Sequence, residues 1–253
     1  MMIKWKLMLA TLPYVAAALA CKLVLVKGLG FKGYIDFGEV GLVLTGGVFL
    51  IGFMLAGTMA DYKESEKLPA ELACILETID ETFAQAGVGR PQLDALAGQR
   101  AVRETAVAVR DWLYKKLTDE QVFARLTALA TTIHELERAG AGSYAGRALA
   151  ELHNLRKVIT RVAVISRTGF LASGYALLET LTGAIVLLLM IAKFKSLVAE
   201  LILVSFLALI YTYMLGLIRD VDDPFEYSAT GARGAAEVDL FPLDEYIARS
   251  GRG

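Results

Sequence analysis

A chain of 253 residues that is 56% hydrophobic, with a mean hydropathy of +0.52, is too apolar for an ordinary soluble domain, where roughly 45–50% is usual. Its formal net charge of −1 gives no electrostatic case for nucleic acid. Cys21 and Cys74 lack any CxxC spacing, so neither a disulfide framework nor a thiolate metal site is expected.

The apolar excess sits in four runs, at about 7–26, 40–60, 168–192 and 197–218. Each approaches the ~20 residues that cross a ~30 Å hydrocarbon core. A backbone in lipid must satisfy its own hydrogen bonds, which makes all four helices. The first run follows Lys4 and Lys6 but continues through Val26, longer than a signal-peptide core, and is read as a retained span.

Between the pairs lies a polar region at 61–167. Leu72, Leu76, Ile79 and Phe83 recur at helical spacing, as do Val102, Ala106, Val109, Leu113 and Leu117. A third set is Val122, Leu126, Leu129, Ile133 and Leu136, and a fourth runs from Leu149 through Leu152, Leu155, Ile159 and Val162. Gly and Pro predict breaks at 87–91 and 140–143. The fold class is therefore an all-α membrane protein. Its segments are a first transmembrane pair (1–60), a helical cytosolic region (61–167), a second pair (168–218) and a tail (219–253). The second span is expected to continue out of the membrane into Asp61–Ala84.

An even number of spans puts both termini and the middle region on one side. Lys4, Lys6, Lys63, Lys67, Arg156, Lys157, Arg161, Arg167 and Arg219 flank the spans there, against Lys27, Lys32, Lys193 and Lys195 opposite. The basic side is the cytoplasmic one. Both termini are therefore expected on the cytoplasmic side of the membrane.

Within the second span, Gly41, Gly46, Gly47, Gly52 and Gly57 permit close helix approach. Leu44, Thr45, Val48, Phe49, Gly52 and Phe53 are the candidates for a pore neck. Phe49 and Phe53 lie one turn apart and would form apolar rings in a symmetric oligomer, a geometry that gates by dewetting. Packing and lipid contact are the plainer roles for the same residues. Glu179 is an acid inside the third span. Such a group costs roughly 2.5–3.5 kcal/mol to insert, so it faces protein or water, as a permeation site or as a bonded buried carboxyl. Glu200, near the start of the fourth span, is within reach of the interface.

Asp220, Asp222, Asp223 and Glu226 follow the last span. They mark a membrane boundary, and as hard oxygen ligands they are candidates for a cation such as calcium, although they match no EF-hand loop. A solvated acidic face is the alternative. His134-Glu135-Leu136-Glu137 is followed by Arg138 where a zinc motif needs histidine. There is no GxSxG and no phosphate loop, so no enzyme is expected and no cofactor or metal site is assigned.

The tail carries Asp222-Asp223-Pro224-Phe225 and, after a small-residue spacer, Asp239-Leu240-Phe241-Pro242-Leu243-Asp244-Glu245-Tyr246. This pair resembles the tail of the bestrophin family and its bacterial bestrophin-like relatives. Phe53 to Asp61 followed by Tyr62-Lys63-Glu64-Ser65-Glu66-Lys67-Leu68-Pro69 looks like that family's exit from the second span. The order of spans, bundle and tail agrees over nearly the whole chain. The resemblance implies a homopentameric channel for small ions, anions such as chloride first and cations second. The second span would line an apolar neck. Pro224, Phe225, Phe241, Leu243 and Tyr246 would dock the tail on the bundle or a neighbouring subunit. The partners implied are further copies of the chain, the lipid membrane and small inorganic ions. The chain departs from the family after the second span, reading Ala56-Gly57-Thr58-Met59 and Asp61-Tyr62-Lys63, and before the third, at Val164-Ile165-Ser166-Arg167-Thr168. Those departures keep a second reading open, a non-conducting membrane scaffold or sensor with the same fold.

Overall fold

The computed structural model of the chain describes residues 5–168, 172–227 and 236–251. Lys4, positions 169–171 at the start of the third expected span and the tail spacer at 228–235 lie outside them. The chain divides into two compact units, Met1–Tyr62 with Thr168–Asp223, and Lys63–Arg167 with Pro224–Gly253.

The first unit holds the four apolar helices: α1 (Lys6–Leu23, prolonged by a π turn at Val24–Gly28), α2 (Phe37–Ser65), α7 (Ala172–Ile191) and α8 (Leu197–Asp222). Each is long and apolar enough to cross a membrane. The chain is an integral membrane protein. At 1.5 Å per residue the 29 residues of α2 measure ~44 Å, more than the ~30 Å hydrocarbon core requires. α2 runs on past the apolar segment but stops at Ser65, where a turn at 66–67 interrupts the continuation expected through Ala84.

α1 packs on α8 and α7, and α7 packs on α8. The core is a stripe of α2 (Val40, Leu44, Ile51, Met54) set among Leu178, Ile185 and Leu189 of α7 and Val204, Tyr211 and Ile218 of α8. Gly47 belongs to this stripe. A Cβ there would stand 2.7 Å from Ile185 Cδ1 and 2.8 Å from the Tyr211 hydroxyl, so the close approach requires glycine. Tyr211 uses that hydroxyl to donate to Leu44 O at 2.6 Å.

A two-residue parallel bridge, which no alternating pattern announces, ties the loop before α2 to the α7–α8 hairpin. It joins β1 (Ile35–Asp36) to β2 (Ala192–Lys193). Gly33, at φ +80°, presses on the Lys193 backbone, where a Cβ would lie 2.8 Å from Lys193 Cα.

The second unit is a helical bundle of α3 (Leu68–Gly87), α4 (Ala95–Leu113), α5 (Asp119–Arg138), α6 (Gly142–Arg167) and a tail helix α9 (Phe241–Ser250). The periodic residues read from the sequence form its core: Leu76, Ile79, Val102, Val109, Leu126, Ile133, Leu155 and Ile159 are each at most 0% exposed. Local chemistry sets the helix starts. Asp94 accepts from Ala97 N at 2.8 Å, and Thr118 and Gln121 form a reciprocal capping box. α4 ends at Leu113 rather than at the expected Leu117, because Lys115 adopts a left-handed conformation that stops the helix. α6 begins earlier than the Leu149 periodicity suggests, with small Ala145 and Ala148 extending its buried line.

Candidate functional site

α2 presents two unlike faces. Val40, Leu44, Gly47, Ile51, Met54 and Thr58 recur every three or four residues and are buried. On the other side Thr45 and Gly52 are exposed, with Val48, Phe49 and Phe53 at 48%, 77% and 72% exposure. Five of the six neck candidates therefore share one uncovered face. Leu44 does not: it is 7% exposed in the four-helix core, and its position on the buried stripe removes it from any path along the opposite side. Thr45 satisfies its own hydroxyl by donating to Gly41 O at 2.9 Å. A Cβ at Gly41, Gly46, Gly52 or Gly57 would meet nothing within 4 Å. These glycines leave room beside α2 that this chain does not fill.

Glu179 is not alone in its span. It pairs with Arg219, near the end of α8, and both side chains are about half exposed on the single chain. Tyr175, a turn before Glu179, hydrogen-bonds Asp222. Arg219 and the acid inside the third span, counted separately in the sequence, are one ion pair.

A second charged group passes unremarked in the sequence. Lys22 is 1% exposed. Its Nζ donates to Leu189 O at 3.1 Å, Met190 O at 2.8 Å and Ala192 O at 2.9 Å, and lies 2.9 Å from Glu200 Oε1. Leu189 and Met190 are among the last residues of α7, whose carbonyls lack intrahelical partners, and Ala192 follows in β2. Lys22 caps them, and the Phe194 ring lies 5.2 Å from the ammonium. Glu200 is buried in this pair instead of reaching for the interface. The signal was a lysine inside the first apolar run and an acid in the first turn of the fourth; neither residue by itself says that they meet.

The acids at and just beyond the end of α8 are split. Asp220, Asp222 and Asp223 close the first unit, whereas Glu226 belongs to the second. Among the described residues no three His, Cys, Asp or Glu side chains gather into a set that could hold a metal ion. The four acids do not form a common ligand shell there.

The tail is seated within its own bundle. Phe225 and Tyr227 are buried, and Val238 N donates to Pro224 O at 2.9 Å while the Tyr227 hydroxyl donates to Val238 O at 2.8 Å. Tyr227 meets the Tyr114 ring edge-on at 5.3 Å. Further on, α9 packs on α3 and α4 of the same chain. Leu243, Tyr246 and Ile247 are buried at the i, i+3, i+4 spacing of one helix face. Phe241 is 56% exposed, so it is not an anchor within this chain. Two residues of helix turn it about 200° away from Leu243. Arg249 to Glu77 at 2.9 Å and Arg110 to Asp244 at 3.7 Å flank the seat.

Four membrane-crossing helices in two pairs, a helical bundle between them in the chain and a tail returning to that bundle define the class of membrane protein. No family model matches the chain, and no curated protein matches it in sequence. Solved structures do match. A bacterial bestrophin homologue from Klebsiella pneumoniae superposes with a TM-score of 0.74 at 15% identity, covering 96% of each chain. A point variant of a bestrophin homologue from the same organism gives 0.76 at 14%, covering 98% of this chain and 96% of that one. Another membrane protein structure gives 0.73 at 15%, covering 97% of each. The fold is that of the bacterial bestrophin homologues, as the tail and span order lead one to expect.

Proposed function

We propose that copies of this chain assemble around an axis into a bestrophin-like ion channel, with the uncovered face of α2 lining the path. The observation that carries the reading is the division of α2. One stripe is consumed by packing, and the other exposes Val48, Phe49 and Phe53 beside glycines with open space around them. Phe49 and Phe53 would form the apolar constriction, which passes ions when wetted and blocks them when dry. The match to bestrophin structures supports this reading at the level of the fold. Five is the copy number the resemblance implies.

In this reading the bundle and both termini lie in the cytoplasm of a bacterium and the spans cross its inner membrane. Small inorganic ions pass, with chloride the first to test, and no cofactor is invoked. Glu39 in the first turn of α2 would favour cations at that mouth; Lys27 and Lys32 would favour anions.

Planar bilayers containing the purified full-length protein test it. Ion currents are expected, and Phe49→Ala or Phe53→Ala should raise open probability or conductance by widening and wetting the constriction. Well-folded oligomers that stay electrically silent, wild type and variants alike, would sink the channel and favour the scaffold.

A further inference from the structure

The turn that closes α4 carries an unexpected residue. Lys115 N donates to Trp112 O at 2.9 Å and Lys116 N to Asp111 O at 2.8 Å. The end of α5 repeats this pattern, with Gly140 N to Glu137 O at 3.0 Å and Ala141 N to Leu136 O at 2.8 Å. Both are the helix-ending motif that needs a left-handed residue. Gly140 has φ +74° and Lys115 has φ +59°. Glycine occupies that conformation freely, whereas a side chain with a Cβ is strained there. Lys115 is the one described non-glycine residue with positive φ. Residues held in such conformations concentrate at functional sites, where the observed outlier is the starting point for a hypothesis.

Lys115 lines a cleft of about 210 Å³, together with Trp112, Asp119, Ser166, Arg167 and Phe225. Trp112 and Phe225 are buried apolar walls. Asp119 already accepts from Trp112 Nε1 at 2.8 Å and is paired with Arg167. Two cations and a hydroxyl thus line the cleft with one carboxylate, each of whose oxygens already has a partner, and the lining carries net positive charge. Arg167 has donors beyond those aimed at Asp119, since a guanidinium carries five N–H groups in a planar fork.

We propose that this cleft binds a small oxyanion of phosphate chemistry, as the free ion or as the phosphomonoester headgroup of a lipid. Lys115 supplies charge, Arg167 its remaining N–H donors and Ser166 a hydroxyl. The lysine side chain gives a physical reason for accepting strain where the neighbouring turn uses glycine. Arg167 ends α6 five residues before α7 begins, and Phe225 follows α8 by three, so the walls adjoin two spans in the sequence. That adjacency makes a headgroup a source to test beside the free ion. The proposal does not depend on whether the chain conducts.

Thermal unfolding of the full-length protein in detergent, with sodium phosphate against sodium chloride at equal ionic strength, measures the free ion. Nanodiscs of phosphatidylcholine with and without phosphatidic acid measure the headgroup. The wild type should gain roughly 2 °C or more from at least one of them, because a ligand bound only to the folded state raises the midpoint. A shift with phosphatidic acid alone identifies the lipid; a shift with phosphate identifies the free ion as sufficient. Lys115→Gly suits the turn, so it should unfold no earlier than the wild type without ligand and lose the shift. Ser166→Ala should weaken binding about three- to tenfold, the value of one hydrogen bond. No shift in the wild type from either source, or a Lys115→Gly protein that responds as the wild type does, overturns the proposal.

Discussion

Lys22 of α1 holds its ammonium 2.9 Å from Glu200 of α8 and among three carbonyls, two at the end of α7 and one in the β2 residue that follows it, so three spans meet at one buried charge. Lys22→Met would leave Glu200 charged and unpaired and return the α7 carbonyls to an apolar interior. Breaking a buried pair from one side costs about 3–5 kcal/mol. A large fall in the thermal midpoint is expected. Glu200→Gln should cost less, because the three carbonyls keep their donor. The double variant Lys22→Met with Glu200→Leu should remain destabilised, since the carbonyls still lack a partner. Recovery to the wild-type midpoint would show that the carbonyl cap contributes nothing.

The Glu179–Arg219 pair calls for a double-mutant cycle. Arg219→Gln leaves an acid inside a span, at a cost bounded by the roughly 2.5–3.5 kcal/mol of central insertion. Folded yield from membranes should drop. Adding Glu179→Gln should restore most of it, and purely additive losses would show that the two side chains do not interact.

At the seat of α9, Leu243 is 0% exposed, and a buried Leu→Ala change typically costs 2–5 kcal/mol. Leu243→Ala should expose α9 to protease while the remaining bundle resists. Phe241→Ala, on the exposed side, should change susceptibility little in the isolated chain.

Tyr246 adds a pH dependence. Burial, then the nearby charges of Asp80 and Glu77, opposed by Arg249, push its phenol above the ordinary tyrosine range. The folded form disfavours tyrosinate, so this stability is complete below the unfolded value of about 10 and is lost as pH rises through the folded one. α9 should loosen in alkali above pH ~10 in the wild type and not in Tyr246→Phe. At neutral pH that variant should be as stable or slightly more so, because the buried hydroxyl finds no hydrogen-bond partner among the described residues. A marked loss would reveal a bond to a bridging water.

Gly98 tests how closely α3 and α4 pack. A Cβ there would sit 2.2 Å from the Phe83 ring. Gly98→Ala should destabilise the bundle by about 1–3 kcal/mol, the usual cost of overpacking. This should appear as a lower midpoint despite alanine's better helix propensity.

The residue order by itself determined the class and the element map. Four apolar runs can exist in lipid only as helices, and the i, i+3, i+4 recurrence of Ile79, Val109, Leu126 and Ile159 marks the faces that must leave water; both follow from local spacing and solvation. The tail motif also pointed to the fold. What only the tertiary structure decided were meetings between residues far apart in the chain. Leu44 and Phe49 look equally eligible for a neck until the packing of α7 and α8 assigns one to the core and leaves the other uncovered. Glu179 looked solitary until Arg219, 40 residues later, reached it. Lys22 and Glu200 gave no sign of each other, because a buried charge is recognisable as tolerable only once its partners are placed in space. Periodicity reports which side of a helix is apolar, not which neighbour will cover it.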